Sequence, residues 1–149
     1  MSLNDLRTAP EFAELPICEF AFPGPLREKL IAAILDRTKT STTATFIEFE
    51  VEQEELPRVG EREVVVDSVG RGVAVIELTE VRFARLADVD LQHAIDEGEG
   101  FTTVAQWRTG HEEFWHSPEM RGAMQDPNFT VNNDTMLVLQ RFKVITQLP

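Results

Sequence analysis

Lysine, cysteine and long apolar runs are all scarce in this chain, and each scarcity removes a class of function. The single cysteine, Cys18, has no partner for an internal disulfide, which fits a reducing compartment such as the cytoplasm. Its neighbours Glu19 and Phe20 offer no cation to activate a thiolate, so it reads as a small core residue. No run approaches the roughly 20 apolar residues of a membrane span, so no membrane partner is expected. The first residues lack a basic segment followed by an apolar one, and no signal peptide is expected there. Basic residues are few: 14 Lys and Arg against 26 Asp and Glu give a net charge of −12. No basic stripe is visible, so an extended nucleic-acid duplex is not an expected partner. A small ligand, a single nucleotide, or a few phosphates reached through one local patch remain compatible with that charge. The chain also lacks a glycine-rich phosphate loop, a Gly-x-Ser-x-Gly elbow and paired cysteines for zinc. Its three histidines, His93, His111 and His116, read as packed or surface residues, and neither a metal nor a cofactor is expected.

Against this background one stretch stands out. Residues 35–43, Leu-Asp-Arg-Thr-Lys-Thr-Ser-Thr-Thr, set one of only three lysines among five hydroxyl side chains. A lysine so placed, just past a helix end, suits an oxygen-rich ligand, or a base if its proton affinity is lowered.

The preceding helix is well marked. Pro25 fits the first helical position, and Leu26, Leu30, Ala33 and Ile34 recur as one buried stripe, with Arg27, Glu28 and Asp36 on the wet side. The helix is expected to stop near Asp36 or Arg37, after which threonines favour extended backbone. Before it, residues 1–15 read as an N-terminal arm with a short helix around Glu11–Glu14, and Ile17 to Phe22 as a short strand. Residues 44–55 lean to helix because acids fill their second half up to Pro57. Strands follow around Val64–Asp67 and from Val73 to Leu86, joined by a hairpin through Gly70. The apolar phase of the long strand slips between Ile76/Leu78 and Val81/Phe83, which predicts a β-bulge near Thr79. Asp88 or Asp90 caps a helix from Leu91 to about Glu97, closed by Gly98. Glu97-Gly98-Glu99-Gly100 reads as an acidic loop, and polar loop residues are disproportionately used at sites. Thr103 and Gln106 form a capping-box spacing ahead of a stripe of Val104, Trp107, His111 and Phe114. Ser117-Pro118-Glu119 starts another helix, and Thr135 to Ile145 is the closing strand. Phe101 and Trp107 offer rings that stack a base, although Trp107 fits the core stripe better. Strands and helices segregate instead of alternating, which predicts an α+β domain over residues 16–149. The bulged, bent strands predict a small curved, mostly antiparallel β-barrel flanked by helices.

Taken together, these segments resemble the ASCH domain family, with its PUA-like barrel. The resemblance rests on the helix ending Ile34-Leu35, then Lys39-Thr40-Ser41-Thr42, and the strand pair joined at Gly70. It continues through Ala94-Ile95-Asp96-Glu97-Gly98, Trp107-Arg108 and the final Arg141-Phe142-Lys143-Val144. It spans about Pro16 to Ile145. The resemblance implies RNA or a modified nucleoside as partner. In some small members it implies hydrolysis of the amide of N4-acetylcytidine by a lysine, a threonine and a glutamate; another member is described as a ribonuclease. Carried over, these catalytic roles fall on Lys39, Thr42 and Glu97, with Glu99 as the alternative carboxylate. Thr40, Ser41, Thr43, Glu99 and Phe101 are the expected ligand contacts. Arg37 stands where the family usually has glycine, and Ala44 where it often has arginine.

Overall fold

Proline at the first turn and apolar residues behind it do form a helix, in a computed structural model that describes residues 14–147. The short helix expected around Glu11–Glu14 falls almost entirely outside the described residues. Five helices are seen among the described residues: Pro25–Leu35 (α1), Phe46–Val51 (α2), Leu91–Asp96 (α3), Val104–Trp115 (α4) and Pro118–Ala123 (α5). The strands are Ile17–Cys18 (β1), Ser41–Thr45 (β2), Arg62–Val66 (β3), Gly72–Arg85 (β4) and Met136–Gln147 (β5). Local capping chemistry sets most helix starts. Asp90, Thr103 and Ser117 each accept a backbone N–H three residues on, at the N-termini of α3, α4 and α5. Thr45 and Glu48 form a capping box that starts α2 directly from the end of β2. The spacing at Thr103 acts differently from a full capping box: Gln106 turns its carbonyl to Thr102 instead.

The buried face of α1 differs from the predicted stripe. Arg27, Leu30, Ile31 and Ile34 are buried, whereas Leu26 is 41% exposed. Arg27 goes inside because its guanidinium finds acceptors there: it donates to the carbonyls of Phe20, Ala21 and Asp67. A buried charge with its donors satisfied is tolerable where an unpaired one is not.

The strands form one sheet in the order β1-β3-β4-β5-β2, antiparallel except for the parallel β1–β3 pair. The β4–β5 ladder slips between Leu78 and Glu80, so Thr79 is the extra residue, where the phase change in the sequence placed it. The barrel is not closed. β1 is two residues long and β2 runs straight into α2, so the two edge strands share no ladder. Both edges instead border a groove of about 450 Å³, whose walls also include Ile76 and Leu78 of β4 and Gln140 and Phe142 of β5. One core packs α1 against the sheet through Leu30, Ile34, Val65, Ile76, Leu78 and Phe142. A second packs Trp107, Trp115, Met120 and neighbours against Leu86, Leu137 and Leu139. Between them lies the end of β2, and with it the lysine stretch.

Candidate functional site

Lys39 is placed by the way α1 ends. Arg37 adopts φ +72, the left-handed region that favours glycine, and the N–H groups of Thr38 and Lys39 then both bond the carbonyl of Ala33. The Asp36 carboxylate accepts from the Thr38 backbone and hydroxyl, and these bonds hold it below the usual aspartate range. From this turn the chain enters β2, anchored to α3 by the Thr40 N–H bonding Asp96 O at 2.7 Å. Gly98, at φ +72, lies against the backbone of Lys39 so closely that a side chain there would strike Lys39 Cα and N at 2.7 Å. The two segments therefore meet backbone to backbone.

The result is a buried ion cluster centred on Glu97. Lys39 and Glu97 are each only 2% exposed, and Lys39 Nζ lies 3.6 Å from Glu97 Oε1. Lys39 also donates to the carbonyls of Ser41 at 2.8 Å and Glu97 at 3.3 Å, and sits 5.7 Å over the Phe20 ring. On Glu97, Oε2 accepts from the Thr43 hydroxyl at 2.7 Å and from Trp107 Nε1 at 2.6 Å. Oε1 faces His111 Nε2 at 3.2 Å, and His93 Nε2 lies 3.4 Å from Oε2. Since Thr43 gives its one proton to Glu97, it accepts the 2.7 Å bond from His93. His111 Nδ1 is 2.9 Å from the Trp107 carbonyl, so both of its ring nitrogens meet acceptors and the imidazolium is the form that satisfies them.

The electrostatics follow from these contacts. Burial would raise the Glu97 carboxyl, but the charges of Lys39 and His111 and the imidazole hydrogen bonds outweigh it and hold it well below 4.5. Burial would lower His111; its hydrogen bond and charge contact with Glu97 reverse this and lift it above 6.5. Glu99 moves the other way, raised chiefly by burial. Glu97, Glu99 and His111 offer ligand atoms within 4.8 Å of one another, the one such group of metal-ligating residues among those described. A cation there would displace the His111 proton and the donors already on Glu97, which is an arrangement suited to an ion cluster more than to a ligand set.

Beside the cluster is a cavity of about 200 Å³. Lys39, Thr42, Thr43, Glu97 and Glu99 line it; Thr40, Ser41 and Phe101 do not. Ser41 is fully buried with its hydroxyl on the His93 carbonyl, Thr40 serves the backbone ladder, and Phe101 packs against the helical core near His111. Thr42 contacts neither Lys39 nor Glu97 by a hydrogen bond, and among the described residues no side-chain hydrogen bond engages its hydroxyl. Thr43, its neighbour on the opposite face of β2, is the threonine that reaches Glu97. Reading the sequence missed His93, His111 and Trp107 as members of the cluster. The available signal was the four-residue spacing of His93 to Glu97 and of Trp107 to His111, which puts each pair on one helix face.

The sequence model of the ASCH domain matches residues 19–146. The chain belongs to the ASCH domain family. Among solved structures, this ASCH domain is similar to one from Lactobacillus crispatus at 22% identity and a TM-score of 0.73, covering 95% of this chain and 90% of that one. It is also similar to a protein of Enterococcus faecalis, at 26% identity and a TM-score of 0.67, covering 78% of this chain and 67% of the other. No curated, characterised protein matches it. Among the described residues of this ASCH domain, no helix is long and apolar enough to cross a membrane.

Proposed function

We propose that this ASCH domain binds a modified nucleoside in the cavity beside Lys39 and Glu97 and hydrolyses an amide on it, such as that of an N4-acylated cytidine. The observation that carries this reading is a fully buried ion pair at the wall of a cavity that Thr42 also lines, its hydroxyl in no hydrogen bond among the described residues. Burying two charges is costly to folding, and a strongly perturbed charge pair at a cavity wall is a candidate functional group.

In the proposed reaction the Glu97 carboxylate stays ionised and holds Nζ in place, and the amine form of Lys39 takes the proton of Thr42. Thr42 Oγ1 forms a bond to the amide carbon, the C–N bond breaks, and the departing nitrogen takes up the proton held by Lys39. Water then cleaves the ester on Thr42, giving the carboxylic acid and restoring the hydroxyl, with Lys39 again the free amine. The size of the cavity matches a base with a small acyl group better than it matches a stretch of RNA.

A second reading, a binding module without turnover, draws on the completeness of the resting cluster: Lys39 has three acceptors around it and Glu97 has donors on both oxygens. Incubation of the protein with N4-acetylcytidine separates the two. Hydrolysis predicts release of acetate that falls ~100-fold or more in Thr42→Val, a replacement of similar shape that leaves the buried cluster intact. Acetate release undiminished in Thr42→Val overturns the mechanism. Absence of turnover with nucleoside-dependent thermal stabilisation, lost in Lys39→Ala, selects the binding module.

A further inference from the structure

The cavity does not end at the cluster. Phe20, Ala21, Thr42 and Glu48 line both it and the larger groove left between the unpaired sheet edges, so the two spaces share walls. That groove is one-signed. Seven glutamates line it, and among the described residues no lysine, arginine or histidine does. Glu48 stands at the junction; one of its oxygens is taken by the Thr45 backbone and hydroxyl. Beyond it come Glu19, Glu52, Glu54, Glu55, Glu61 and Glu63.

We propose that this groove sets the charge class of the ligand: the part projecting from the cavity is neutral or cationic, and a 5′-phosphate is rejected. The inference rests on the nucleoside reading above and narrows it. A phosphate in the groove would meet like charges on several sides, and repulsion of the wrong ligand is as effective a source of specificity as attraction of the right one. The nearby cations offer little compensation: Lys39 and His111 are committed to Glu97, and Arg27, 3.8 Å from Glu19, is buried with its guanidinium donating to the carbonyls of Phe20, Ala21 and Asp67. The crowding is already felt within the groove. Partial desolvation raises the half-buried Glu63 and also Glu52, which is mostly exposed, and in each case neighbouring carboxylates add to the rise. A cationic substituent would relieve that crowding.

The test compares three probes by isothermal titration: N4-acetylcytidine, its 5′-monophosphate, and its 5′-amino-5′-deoxy analogue. At low ionic strength the monophosphate is expected to bind at least about tenfold more weakly than the nucleoside, and the amino analogue at least as tightly. Added salt should narrow the gap, because the discriminating charges are solvent-exposed. In Glu52→Gln/Glu54→Gln/Glu61→Gln, which changes only exposed side chains, the gap should shrink while nucleoside binding persists. Equal affinity for nucleoside and monophosphate, or a gap unchanged in the triple variant, overturns the inference and leaves the nucleoside reading standing. Binding of none of the three probes overturns the nucleoside reading, and this inference with it.

Discussion

Glu97→Gln is expected to destabilise the fold by about 3–5 kcal/mol, because it strands Lys39 and His111 in the interior without their counter-charge. Urea denaturation at fixed pH measures this as a large fall in the midpoint. The pH dependence of the loss carries more information than its size. The folded value of Glu97 lies well below 4.5, so its contribution is fully present above 4.5 and is lost as pH falls through the folded value. His111 has a folded value above 6.5; its contribution is fully present below 6.5 and is lost as pH rises through the folded value. Both are therefore complete together only between about 4.5 and 6.5. The difference in stability between the parent protein and Glu97→Gln should be greatest in that window and decline on either side. A difference independent of pH would show that the cluster is held by hydrogen bonding alone.

The second large effect is expected from a methyl group. Gly98→Ala places a Cβ 2.7 Å from Lys39 Cα and N and 2.8 Å from the Thr38 carbonyl carbon, at a residue with φ +72. Backbone atoms cannot swing aside as a side chain would, so the α3 terminus and the lysine turn must separate. Left-handed strain of about 1–2 kcal/mol and overpacking of about 1–3 kcal/mol together predict a loss of roughly 2–5 kcal/mol. Gly100→Ala is the control. It has φ +88 but nothing within 4 Å of the added carbon, so only the conformational strain applies. Thermal unfolding of the pair should show Gly98→Ala far below Gly100→Ala, and Gly98→Ala should also lose ligand binding. Equal losses would mean that the close approach to Lys39 is not tight in solution.

Much of the architecture was legible because it is written in local chemistry. Asp90, Thr103 and Ser117 start helices through hydrogen bonds to residues three on, and Pro25 through its fixed φ at the first helical position. The bulge at Thr79 showed itself as a slip in a period-two pattern. Closure of the sheet was not legible, because it depends on whether two edge strands distant in sequence are long enough to pair, and β1 is not. The site divides in the same way. Lys39 and Glu97 stood out by rarity and by flanking glycines, and the fold brings them together. Which threonine faces Glu97 was hidden: β2 begins Ser41-Thr42-Thr43, so each of its first three positions carries a hydroxyl and no apolar alternation reveals the phase of the strand. The buried role of Arg27 was hidden for a related reason, since its acceptors are main-chain carbonyls that any sequence supplies.

The bond from Trp107 to Glu97 has an optical consequence. The chain's only two tryptophans, Trp107 and Trp115, lie in one cluster; Trp107 hydrogen-bonds the central carboxylate and stacks on His111 at 4.2 Å between ring centroids. Indole emission from this protein is therefore a report from the charged centre and its surroundings, with no contribution from the groove or α1. Its colour and intensity should follow the ionisation of Glu97 and His111 in the intact fold, before any unfolding begins. The protein carries its own indicator dye, wired to the one group on which its site is built.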